Sequence, residues 1–166
     1  MSYDYNKLCT DFLDQSQYSG KTAQNRMSYT ATNLYSYSSL LAKLTEVDNQ
    51  SILLVNSLIA SYSQTSIRHY QTLLECTPKH IEVLLVSDIN HMPSSLQTIW
   101  DYINTLLKQH SRARTQQENY RAVILEQYAL ANRIIELYKI DKRTKVFKQS
   151  KQVLQTLMRN GILYNT

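Results

Sequence analysis

The sequence predicts an α+β protein. An N-terminal antiparallel β-meander of three or four strands with one or two helices occupies residues 1–92, and a basic three-helix module occupies residues 93–166. Three observations lead there. Between residues 27 and 60 apolar and polar side chains alternate with period 2, as half-buried strands require. Past Pro93 the apolar spacing lengthens to three and four residues, the stripe of an amphipathic helix. The 2 Gly and 2 Pro are too few for the many tight turns of a barrel or sandwich.

Tyr5, Leu8, Cys9, Phe12 and Leu13 recur at helical spacing and predict a short helix within residues 3–16. The polar run 16–25, which includes Gly20, reads as a loop. Residues 27–32 alternate as a strand and Asn33 turns the chain. Residues 34–44 read as one further strand, with Leu34, Ser36, Ser38, Leu40, Ala42 and Leu44 on one face and Tyr35, Tyr37 and Leu41 on the other. Asp48-Asn49 supplies the next turn, and residues 50–60 return as the most apolar strand. A Ser or Thr at 63, 65 or 66 caps a helix carrying Ile67, Tyr70, Leu73 and Leu74, which Pro78 ends near Glu75 or Cys76. The apolar run 81–86 fits a fourth strand or a buried helical turn, and its two Val and one Ile favour the strand.

In the second half, Ser94 and Gln97 form a capping box ahead of Leu96, Ile99, Trp100, Ile103, Leu106 and Leu107, a helix to about residue 109. Thr115 and Glu118 repeat the box and open a helix reaching about residue 140. On it Tyr120, Ile124, Gln127, Ala131, Ile134 and Tyr138 alternate at four and three, a seam through which two copies can pair as a homodimer. Val123, Leu130 and Leu137 widen that face, which favours packing inside a small bundle instead. A last helix over residues 144–159 turns Val146, Phe147, Val153, Leu154, Leu157 and Met158 inward, and Gly161 stands where a C-terminal cap belongs.

Charge divides the chain unequally. Residues 1–92 hold six Lys or Arg against eight acids, and residues 93–166 hold twelve against five, so the second half carries a net +7. Candidate partner- or phosphate-binding residues are Arg112 and Arg114 between helices, with Lys139, Lys142, Arg143, Lys145, Lys148, Lys151 and Arg159 on and around the last helix. The partner implied is a host protein or nucleoprotein with an acidic or nucleic-acid surface; simple solvation is the competing explanation. Tyr29, Tyr35 and Tyr37 form a candidate aromatic surface for stacked bases, against the plainer reading that they pack on the sheet.

No catalytic, cofactor-binding or metal site is read. His69, His80, His91 and His110 make no ligand pair, the carboxylates are scattered, and two glycines leave no room for a phosphate loop. His69 beside Ser63, Thr65 and Ser66 fits a local hydrogen-bond set. Cys9 and Cys76, far apart in sequence and in no C-x-x-C, read as reduced thiols. No apolar run approaches the ~18 residues that a membrane span needs, so the expectation is an unexported protein of the host-cell cytoplasm with no membrane partner.

One stretch has a resemblance. Gly20-Lys21, Ala23 and Asn25, then Leu34-Tyr35-Ser36-Tyr37-Ser38-Ser39-Leu40-Leu41-Ala42, Leu54-Val55-Asn56, and Tyr62-Ser63-Gln64-Thr65-Ser66 with His69 form an ordered series. The series resembles a small domain of uncharacterised function found in proteins of phages, archaeal viruses and integrated mobile elements. That domain's pattern is L-Y-S-Y-x-T-x-I-A, a strand ending in Asn, and Y-S-x-T-T-x-x-H; here Ser39, Leu41 and Ser66 replace its Thr, Ile and second Thr. The resemblance covers about a third of the chain, implies a viral or mobile-element origin, and brings no activity with it.

The function expected is that of a non-enzymatic binding protein of a phage or mobile element, occupying a surface on a host factor. A counter-defence inhibitor, such as an anti-CRISPR protein, is one form of it. The alternative is a nucleic-acid-binding accessory protein that uses the basic helices.

Overall fold

Sequence order is spatial order in the six-stranded sheet that forms the first half of the chain. The computed structural model describes residues 4–163. Its strands are β1 (Ser19–Lys21), β2 (Met27–Thr30), β3 (Asn33–Ser36), β4 (Ser39–Val47), β5 (Gln50–Asn56) and β6 (Glu82–Val86). The first five are antiparallel neighbours, and β6 lies parallel to β5. Helices α1 (Tyr5–Leu13) and α2 (Gln64–Cys76) belong to the same unit, Met1–Ile89.

The sheet is therefore mixed rather than a pure meander. A parallel neighbour needs a crossover, and α2 supplies it between β5 and β6. Ser63 starts α2 by accepting the Ser66 N–H at 3.1 Å, and the helix ends at Cys76, just before Thr77-Pro78. The last apolar strand stops at Asn56 instead of residue 60, because the Asn56 side chain accepts from Leu58 N–H and starts a 3-10 turn over Ser57–Ser61.

Two further differences come from turns. The loop expected at 16–25 contains β1, a three-residue edge strand with too few buried side chains to leave an apolar pattern. The single strand expected over 34–44 is a hairpin: Ser36 pairs with Ser39, and Tyr37-Ser38 forms the turn, with Tyr37 at φ 55°. A bulge follows. Leu34 pairs with Ala42 but Tyr35 with Leu40, so Leu41 is an extra residue, and both Leu41 and Ala42 are fully buried.

The core of this unit joins Leu8, Cys9 and Phe12 of α1 to Met27, Tyr29, Leu34, Leu53 and Val55 of the sheet and Leu73 of α2. Gly20 permits a close approach there: a Cβ on it would sit 2.6 Å from the Tyr29 ring and 3.2 Å from Leu8.

The second unit, Asn90–Thr166, contains α3 (Met92–Arg112), α4 (Gln117–Leu137) and α5 (Lys145–Arg159). The first two start differently from the sequence expectation. His91 caps α3, its Nδ1 accepting from Ser94 N–H, so Ser94 lies in the first turn and no Ser94–Gln97 box forms. Gln116 precedes α4 without a side-chain cap, and Thr115 plays no capping part. That helix ends at Leu137 because Lys139 adopts φ 47°, with Ile140 N–H reaching back to Ile135 C=O. α5 is capped by Thr144 and closed by Gly161 at φ 66°, whose following residue Ile162 bonds back to Leu157.

Ile124, Ala131 and Ile134, the middle of the expected seam, are fully buried within a single chain. α4 spends that face on α3 packing, so the Tyr120–Tyr138 seam is not free to pair two copies. On α5 only Val146, Val153 and Leu157 are buried; Phe147 is half-buried, and Leu154 and Met158 are exposed.

Candidate partner-binding face

The amphipathic period of α5 decides where its cations go. With Val146, Val153 and Leu157 facing inward, Lys145, Lys148, Gln152, Gln155 and Arg159 fall at spacings of three, four, three and four on the opposite side. Lys151 lies on the edge of this stripe. All five cationic or amide positions and Lys151 are exposed, and the helix contains no acid. From Lys145 to Arg159 is fourteen residue steps, about 21 Å at about 1.5 Å per residue.

The remaining sequence-selected cations sit at the two ends of this stripe. The Trp100 indole N–H donates to Val146 C=O at 3.2 Å, which sets the start of α5 beside the first half of α3. At the other end, Arg121 of α4 donates to Ile162 C=O at 3.3 Å, just past the end of α5. Arg112 and Arg114, which lead into α4, therefore share an end of the bundle with Arg159. Lys139, Lys142 and Arg143 lie in the connection that enters α5 at Lys145.

Electrostatics leaves this face uncompensated. Among the described residues, Lys142, Arg143, Lys145, Lys148, Lys151 and Arg159 make no ion pair, whereas α4 carries the pairs Arg121–Glu118 and Arg133–Glu136. The Asp141 carboxylate accepts the Arg143 backbone N–H at 2.8 Å instead of neutralising a side chain. Lys145 occupies the first position of α5, where the positive end of the helix dipole disfavours a cation.

The aromatic surface does not form. Tyr29 is 1% exposed and packs against Phe12 in the core. Tyr35 is half-buried, while Tyr37 stands in the turn beyond the strand, 47% exposed. Alternation would have put Tyr35 and Tyr37 side by side on one strand, and the turn at Tyr37 separates them.

His69 has a different neighbourhood from the one its sequence suggests. Its Nδ1 lies 2.8 Å from Ser36 Oγ on β3, not on the serines of its own helix. The ring meets Tyr5 edge-on at 4.6 Å and Tyr37 at 5.9 Å, and the residue is fully buried. Nε2 has no hydrogen-bond partner. Burial pushes the His69 pKa down, and the nearby Arg26 and Arg68 charges push it further in the same direction. Ser36 is 2% exposed, so this pair gives a substrate no route to the hydroxyl and reads as a clamp between β3 and α2.

The thiols are also brought together: Cys9 of α1 and Cys76 of α2 are neighbours, and burial pushes the Cys9 thiol well above the usual thiol range and raises Cys76 in the same direction, which favours the protonated form. Among the described residues, no three His, Cys, Asp or Glu side chains gather as metal ligands would, and no helix is long and apolar enough to cross a membrane.

No protein family, curated protein or solved structure matches this chain. Function has to be argued from its own surfaces.

Sequence reasoning missed the Ser36–His69 contact and the two arginines beside it. Ser36 and His69 both belong to the ordered series of short motifs, which was a signal of a kind. Arg26 and Arg68 carried none, being 42 positions apart on different elements.

Proposed function

We propose that the chain is a non-enzymatic binding protein of a phage or mobile element, and that it works by laying the basic face of α5 on an acidic surface of a host protein. The observation that carries this reading is the exposed, ion-pair-free stripe Lys145, Lys148 and Arg159 on a helix without acids. Exposed Leu154 and Met158 flank it, 36% and 37% accessible, with Phe147 beside them. A surface mixing apolar anchors with cations suits a protein partner, because Met and aromatic residues are enriched in protein interfaces. The viral or mobile-element origin rests on the resemblance of the motif series alone; in the fold that series joins up, with Ser36 bonded to His69 and Ser63 capping α2.

A cationic face does not imitate nucleic acid. An inhibitor of a CRISPR nuclease built this way would cover an acidic patch of the effector instead of plugging its basic substrate channel. A second reading, phosphate binding, is favoured by the linear array, about 21 Å long, equal to roughly six base-pair steps of B-DNA.

Salt and substitution separate the two. At ~50 mM salt, where phosphate contacts are strongest, a protein that leaves duplex and single strands unbound removes the second reading. Retention of a host protein that is lost in K145Q/K148Q/R159Q supports the first. A triple variant that keeps the same partner at the same affinity overturns it.

A further inference from the structure

We propose that the cleft between the β1–β2 loop, the start of α1 and the exposed side of α2 binds the phosphate group of a small phosphate monoester, held between Arg26 and Arg68. The cleft has a volume of about 290 Å³ and is lined by Asp4, Tyr5, Thr22, Ala23, Gln24 and the two arginines. This site is independent of the basic face of α5.

Three elements build it. The β1–β2 loop is fixed by Thr22, whose N–H donates to Met27 C=O at 2.9 Å and whose Oγ1 accepts the Met27 N–H at 3.1 Å. Asn25 closes the loop at φ 52°, its N–H donating to Thr22 C=O. Arg26 is then tied by its own carbonyl, which accepts the Tyr37 N–H at 2.7 Å. On the other side, Arg68 of α2 lies over the Tyr5 ring, 5.8 Å from its centroid. The backbone positions of both guanidinium-bearing residues are thus set before any ligand arrives.

Charge identifies the ligand class. Neither arginine forms an ion pair or side-chain hydrogen bond among the described residues, although Asp4 lines the same cleft. Two arginines against one carboxylate leave a net +1, and the guanidiniums repel each other across the cleft. A carboxylate presents two oxygens and one charge, which a single guanidinium satisfies. A phosphate monoester presents three oxygens and close to two charges, enough for both forks together. Ala23 and Gln24 leave space for a small attached group. Under the cleft lies the fully buried His69, its ring against Tyr5 and its Nε2 without a partner, which makes the ring a reporter of what enters.

The test is titration of the whole chain with inorganic phosphate, a nucleoside 5′-monophosphate and acetate at low ionic strength, followed by calorimetry and by the His69 ring resonances. Saturable phosphate binding in the millimolar range or tighter is expected, with acetate weaker and the monophosphate tighter if the attached group is also held. R26Q and R68Q each weaken binding about tenfold, as loss of a charge-assisted pair does. D4N tightens it, because the competing carboxylate is gone. The helical signal of each variant is checked by circular dichroism, so that loss of binding is separated from loss of fold. Phosphate that does not saturate by about 20 mM, weaker than any useful site, overturns the proposal. So does binding that R26Q and R68Q leave within twofold of the parent, which marks an adventitious ion only.

Discussion

Replacing Ser36 by Ala removes one oxygen, and the structure says what that costs. Ser36 is 2% exposed and its Oγ is, among the described residues, the one hydrogen-bond partner of the fully buried His69 ring, whose Nε2 is already unmatched. Without Ser36 both ring nitrogens stand unpaired away from water. Leaving a buried polar group unsatisfied costs about 1–3 kcal/mol, so about 2 kcal/mol is expected for S36A. For a unit of this size that lowers Tm by about 8–16 °C. The partner variant H69F removes the ring's polar atoms but strands the serine hydroxyl. The double variant S36A/H69F deletes both groups together and is expected to be less destabilised than the two single costs combined, by about 1–2 kcal/mol of coupling. Urea unfolding followed by hydrogen exchange in β3 and α2 reads the correct unit; Trp100 lies in the other one, and the tyrosines are spread over both. An S36A cost below about 0.5 kcal/mol, or strictly additive single and double variants, refutes the clamp.

Three other outcomes follow from the same geometry. G20A should destabilise the first unit by about 1–3 kcal/mol in urea unfolding, since its Cβ would meet a Tyr29 ring that is itself 1% exposed and has nowhere to go. Because the His69 pKa is lowered from 6.5, the unfolded chain takes up a proton first as pH falls. Stability from this group is therefore fully present above pH 6.5 and drops below it, by at most about 1.4 kcal/mol per pH unit, and H69Q should flatten the profile between pH 6.5 and 5. K145E should stabilise the second unit by a few tenths of a kcal/mol, read by Trp100 fluorescence, because it places an anion at the dipole's positive end; the same change should weaken partner binding.

The α+β class, both flanking helices of the first unit and all three helices of the second were legible because their apolar periods are long and regular. The hairpin at Tyr37-Ser38 was not. With 2 Gly in the chain, turns such as those at Ala31 and Tyr37 are made by ordinary residues held at positive φ, so the expected punctuation is missing there, whereas Asp48-Asn49 kept it. Scarcity of Gly and Pro therefore says less about the number of turns here than it usually does. The bulge at Leu41 compounded the misreading, since it puts two successive residues on one face and shifts a strict alternation by one. Nothing in the composition of residues 82–86 states that the strand pairs parallel; that follows from the length of the α2 crossover. On the basic face, legibility was good for the opposite reason. Once Val146, Val153 and Leu157 fix which side of α5 is buried, the positions of Lys145, Lys148 and Arg159 follow from helical geometry alone. The cleft between Arg26 and Arg68 depends on chain segments meeting in space, which no local pattern records.

The working surface is tested most directly by capturing partners from nuclease-treated host extract on the wild-type chain and on K145Q/K148Q/R159Q, with protein and residual nucleic acid quantified together. Binding through α5 predicts a defined host protein, held at about 50 mM salt, released as salt screens the contact, and lost from the triple variant while its helical content is unchanged. The same protein captured equally well by the folded triple variant would contradict it and place the working surface elsewhere.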